Sequence, residues 1–130
     1  MSHRTYLENI NNSNTGSGGG VIDSPVTLHT VTIQHTGRYR IFGGTNYNYE
    51  LDTNGYKVDL QLTVDGVVAI LVSSGTLIEE SWQSVDDSIF INTVLDLQRG
   101  DILRLVLDPL GGEVIRIRDA DLFFFLERCN

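Results

Sequence analysis

Tyr56-Lys57-Val58-Asp59-Leu60-Gln61-Leu62-Thr63-Val64-Asp65-Gly66 is the stretch that decides the fold. Apolar and polar residues alternate one by one along it. An extended backbone therefore places Tyr56, Val58, Leu60, Leu62 and Val64 on one face and Lys57, Asp59, Gln61 and Thr63 on the other. A helix would scatter both sets around its circumference. Asp65-Gly66 supplies the positive φ that a two-residue turn needs, and 67–72 then runs back, so a hairpin is expected across 56–73.

The same period continues on both sides of the hairpin. Strands are expected over 28–35 with Val31 and Ile33 inward, over 38–42 with Tyr39 and Ile41 inward, over 88–97, over 102–107, and around Val114, Ile115 and Ile117. Gly37, Arg99-Gly100-Asp101, Asp108-Pro109 and Gly111-Gly112 separate them. Gly43-Gly44 and Asn54-Gly55 are expected to bracket a tyrosine-bearing loop. No segment joins an apolar stripe of period 3.6 to a helix cap. Short strands with glycine turns throughout make the chain an all-β sandwich or barrel.

Leu122-Phe123-Phe124-Phe125-Leu126 departs from the alternation, because both faces of such a strand are apolar and both must be covered. One face fits the domain core. The other requires either a central position in the sandwich or a second subunit. Phe123, Phe124, Phe125 and Leu126, with Ile115 and Ile117, are the candidate residues for core and interface.

A chain of 130 residues suits one domain with its own core. Residues 9–20 are almost all Asn, Ser, Thr and Gly, a composition that builds no core. The expected organisation is a flexible arm and linker over 1–24 and a β-sandwich over 25–130. Within the arm, Thr5-Tyr6-Leu7-Glu8 is apolar enough to dock. The formal net charge of −8 disfavours nucleic acid and anionic lipid unless a basic patch intervenes. Lys57 is the one lysine, and the arginines are scattered along the chain, with Arg116 and Arg118 two apart and able to share a strand face, so no nucleic-acid partner is expected. Cys129 is the single cysteine, which excludes an intrachain disulfide. The start lacks the apolar run of a signal peptide, and no stretch approaches the length of a membrane helix. A soluble protein made in the cytoplasm, without membrane insertion, is the expectation.

Four segments in order resemble a known family. Thr36-Gly37-Arg38-Tyr39-Arg40-Ile41, the Leu60–Gly66 hairpin segment, Leu95-Asp96-Leu97-Gln98-Arg99-Gly100-Asp101-Ile102-Leu103-Arg104-Leu105, and Phe123-Phe124-Phe125-Leu126 are similar to strands of the jelly rolls shared by complement-type globular heads and tumour-necrosis-factor ligands. The resemblance spans about residues 26–128. It implies an antiparallel jelly-roll sandwich of about 8–10 strands, assembled as a homotrimer, that binds and does not catalyse. A small head with an N-terminal arm also looks like bacteriophage fibre heads and capsid decoration proteins. That likeness implies a virion-surface role, with a host-surface glycan or another particle protein as partner.

The alternative is a monomeric carbohydrate-binding β-sandwich module, to which the same motifs are similar. Tyr47, Tyr49 and Trp82 are its candidate site, since aromatic faces stack on sugar rings while polar tips hydrogen-bond. Catalytic chemistry has little to stand on. Glu79-Glu80 and Asp86-Asp87 are adjacent and so point to opposite faces of a strand. Asp119 and Asp121 share a face, but no calcium-loop spacing surrounds them. His29 and His35 are about 20 Å apart on an extended strand, too far for one metal. There is no Gly-x-Ser-x-Gly turn, and Gly16 to Gly20 opens onto no helix, so no catalytic residue, metal or cofactor is expected.

Overall fold

The hairpin forms where its pattern demands. In the computed structural model, which describes residues 4–8, 20–22, 24–51, 56–76, 83–110, 115–117 and 122–129, Asp65 and Gly66 take φ of 51° and 83°. Both values are left-handed, as a type I′ turn requires, and Val64 pairs directly with Val67.

The strands are β1 (Arg4–Glu8), β2 (Gly20–Ile22), β3 (Val26–Thr32), β4 (Gly37–Leu51), β5 (Tyr56–Val64), β6 (Val67–Thr76), β7 (Gln83–Leu97), β8 (Ile102–Asp108), β9 (Ile115–Ile117) and β10 (Phe123–Cys129). The described residues contain no α-helix. One sheet has four strands in the order β3-β8-β5-β6. The other has six, in the order β1-β10-β4-β9-β2, with β7 also on β4. All pairings are antiparallel. This is the expected jelly-roll sandwich, the chain crossing repeatedly between two sheets.

Alternation assembles the core. On β8, Leu103, Leu105 and Leu107 are buried; on β5, Val58, Leu60 and Leu62 join them. The six-stranded sheet answers with Tyr39, Ile41, Ile89, Ile91, Phe124 and Leu126. Ile115 and Ile117 are also core residues.

Two expectations need revision. The arm expected over 1–24 contributes two strands to the larger sheet: Thr5 and Leu7 pair with Glu127 and Phe125 through β1, and β2 pairs with β9. Residues 9–19 of the expected linker lie outside the described residues. The tyrosine-bearing loop is strand up to Leu51, because Gly43 and Gly44 lie inside β4 and make no turn. Their smallness serves close approach. A Cβ on Gly43 would come 2.8 Å from Phe124 Cδ1, and one on Gly44 would strike the Ile89 carbonyl oxygen and lie 2.7 Å from Phe90 Cα.

Candidate functional site

β4 organises the outer face of the larger sheet. Its full length pairs with β7, and its first half pairs with β10 on the other edge. Since Tyr39 and Ile41 point into the core, the period of two turns Arg38, Arg40 and Phe42 outward. By the same count Phe90, Asn92, Val94 and Asp96 face outward from β7, and Phe123 and Phe125 from β10.

The register gathers the aromatic members. Phe42 lies opposite Phe125 on one side and Asn92 on the other, while Gly44 lies between Phe123 and Phe90. The Phe42 ring sits 5.0 Å from that of Phe123 and 5.6 Å, edge to face, from that of Phe90. Such geometry suits the ring quadrupoles. Phe42, Phe90 and Val94 are 36%, 51% and 48% exposed, and Phe123 and Phe125 are half-buried. The result is a contiguous apolar patch in the middle of a sheet face. An exposed ion pair flanks it, with Arg38 Nε donating to Asp96 Oδ1 at 3.0 Å. The hydrogen bond and charge of Asp96 raise the Arg38 pKa. Because both groups are in water, the pair contributes little stability. An apolar centre with a charged rim is the ordinary anatomy of a protein interface.

The aromatic strand is therefore divided between two roles. Phe124 and Leu126, with Ile115 and Ile117, fill the core, which removes them from any interface, while Phe123 and Phe125 face outward. Phe42, Phe90 and Val94 were missed as surface residues. Their outward parity was available from Ile41, Ile89 and Ile91, but not which strands would bring them together.

The tyrosine site does not assemble as expected. Tyr47 is 3% exposed, so its ring faces the core and offers no stacking surface. Its hydroxyl lies 3.2 Å from Ser74 Oγ and 3.4 Å from Asp87 Oδ2, and these polar groups keep a buried hydroxyl satisfied. Tyr49 lies on β4 opposite Val85 and Ile115, and its side chain, like Trp82, falls outside the described residues.

Carboxylates and histidines are dispersed. Asp87 faces Tyr47, while Asp86 accepts from Asn48 Nδ2 at 2.8 Å. Glu79, Glu80, Asp119, Asp121 and His3 lie outside the described residues. Buried Asp59 accepts from Ser73 Oγ at 2.6 Å and sits opposite Asp108 across β5 and β8. Burial, and secondarily the Asp59 charge, push the Asp108 carboxyl above the ordinary carboxylate range. His29 packs its ring 4.6 Å from that of Phe124. Among the described residues no three His, Cys, Asp or Glu side chains converge as metal ligands, and no helix is long and apolar enough to cross a membrane.

No family model matches the chain, and no curated protein matches it in sequence. In three dimensions it is similar to Eiger TNF from S. frugiperda, with a TM-score of 0.66 over 100% of this chain and 94% of that one. Sequence identity is 15%, so the likeness is one of fold. The strand motifs that resemble tumour-necrosis-factor ligands thus accompany a jelly roll of that type.

Proposed function

We propose that the chain is a homotrimeric jelly-roll head that binds or assembles and performs no catalysis, and that the outer face of its six-stranded sheet is the subunit interface. The observation that carries the reading is the aromatic patch of Phe42, Phe90 and Phe123 with Val94, exposed in the single subunit. Exposed aromatic clusters favour burial against a partner. The choice of a trimer rests on the tumour-necrosis-factor type of fold, whose members associate around a three-fold axis. Three equal sites on one rigid head then act by multivalency. The finer reading places the head on a virion surface, with a host glycan or particle protein as partner; it rests on the head's small size and the Gly/Ser/Asn-rich composition of 9–20.

Phe90→Glu tests the interface. A charge there faces water in the separate subunit but would be buried in the trimer. The expected product is a folded monomer by circular dichroism and sedimentation. A variant that keeps the mass of the unmodified protein overturns this choice of interface.

A further inference from the structure

We propose that the chain carries an oxyanion-binding pocket at one end of the sandwich, built from Gln34, His35, Thr36, Arg99 and Arg128 and suited to the carboxylate, phosphate or sulfate group of a small ligand. These residues line a cavity of about 400 Å³, which is large enough for a small molecule. They come from three places: the β3–β4 connection, the β7–β8 turn and the end of β10.

The frame of the pocket is fixed by hydrogen bonds. Ile33 N donates to Asp101 O at 2.9 Å and Gly100 N to Ile33 O at 2.8 Å, which ties the connection to the turn. Gly100, at φ 94°, gives the turn its left-handed residue, and the Asp101 carboxylate closes it by accepting from Gln98 N at 2.8 Å. Arg99 N donates to Thr36 Oγ1 at 3.0 Å, which leaves the Thr36 O–H to turn toward a ligand. Tyr39 Oη donates to His35 O at 2.5 Å from below.

Arg128 supplies the observation that points to a ligand. On β10 it shares the face of Phe124 and Leu126, so its stem enters the end of the sandwich. There it passes over Gly37, where a Cβ would come 3.0 Å from Arg128 Cδ and 3.2 Å from Cγ. Glycine at 37 makes room for this path. The stem ends in a guanidinium whose buried Nε has no hydrogen-bond partner among the described residues. An oxyanion is the acceptor that a guanidinium fork fits best. Arg99 adds a second positive charge on the same cavity. Two arginines, with no carboxylate among the described residues that line the pocket, make a local exception in a chain of net charge −8. Phe123 and Arg128 lie at opposite ends of β10, roughly 17 Å apart, so this site is separate from the aromatic patch.

The test is a titration with inorganic phosphate, and separately with acetate, at constant ionic strength and with reductant present. Arginine Nε–Hε and Thr36 amide signals are followed by NMR. Saturable shifts at Arg128 and Thr36 are expected, with acetate saturation marking a carboxylate site and phosphate saturation alone marking a phosphate or sulfate site. Arg128→Met keeps the stem over Gly37 and should weaken binding roughly ten- to a hundredfold at the Thr36 reporter. If that variant fails to fold, Arg99→Met makes the same comparison. Shifts that do not saturate, or an affinity unchanged in the folded variant, overturn the proposal.

Discussion

Phe42 and Phe90 meet edge to face on the outer side of the six-stranded sheet, ring centres 5.6 Å apart, and both remain open to solvent. One strand away, Phe124 is fully buried beneath the same sheet. Phenylalanines on opposite faces should therefore respond differently to truncation. Phe124→Ala empties core volume and is expected to cost about 3–5 kcal/mol in urea denaturation. Phe42→Ala should leave a folded subunit and weaken association instead. Equal loss of fold stability in both variants would contradict the assignment of faces.

Gly44 and Gly66 separate close approach from backbone conformation. At Gly44 a methyl group would run into the backbone of Ile89 and Phe90, atoms that cannot swing aside. At Gly66 there is open space but a φ of 83°. Gly66→Ala is expected to cost about 1–2 kcal/mol through the left-handed conformation alone. Gly44→Ala should cost more, at about 3 kcal/mol or beyond, because overpacking must displace β7. Denaturation midpoints of the two variants check the order.

Tyr47→Phe removes the hydroxyl near Ser74 and Asp87 and keeps the ring. The loss should be about 1 kcal/mol of stability, with the fold retained. A glycan array should read the same before and after the change, since a buried ring stacks on no sugar. Sugar binding that disappears with this hydroxyl would restore the tyrosine site.

Asp108 gives a pH signature. Its folded-state carboxyl titrates above the ordinary range, first because of burial and then because of Asp59, so the folded protein holds this proton more tightly than the unfolded chain. Ionisation thus costs stability as pH rises from the ordinary carboxylate range through the raised folded value, and the cost is absent below that range. Asp108→Asn should raise the urea midpoint at neutral pH, and the advantage should vanish in acid. An advantage independent of pH would show that packing, and not charge, is responsible.

Much of this architecture was legible from the period of two. Val58, Leu60 and Leu62 declared their face, and Asp65-Gly66 declared its turn. The misreading at Gly43-Gly44 had a physical cause: two glycines look alike whether they permit a turn or a close approach, and only Phe124 and the β7 backbone distinguish the cases. Taken as a break, the pair places Tyr47 in a polar loop. Continued through the pair, the inward set Tyr39, Ile41, Gly43, Thr45 and Tyr47 is unbroken. The aromatic patch and the arginine pocket were less accessible, because parity assigns a face but the partners on that face come from distant strands.

The central claim is association through the sheet's outer face, and the mass in solution tests it most directly. Light scattering over a range of micromolar concentrations, with reductant to prevent Cys129 cross-linking, should give three times the chain mass of 14.5 kDa. A species that stays at 14.5 kDa throughout would contradict the account.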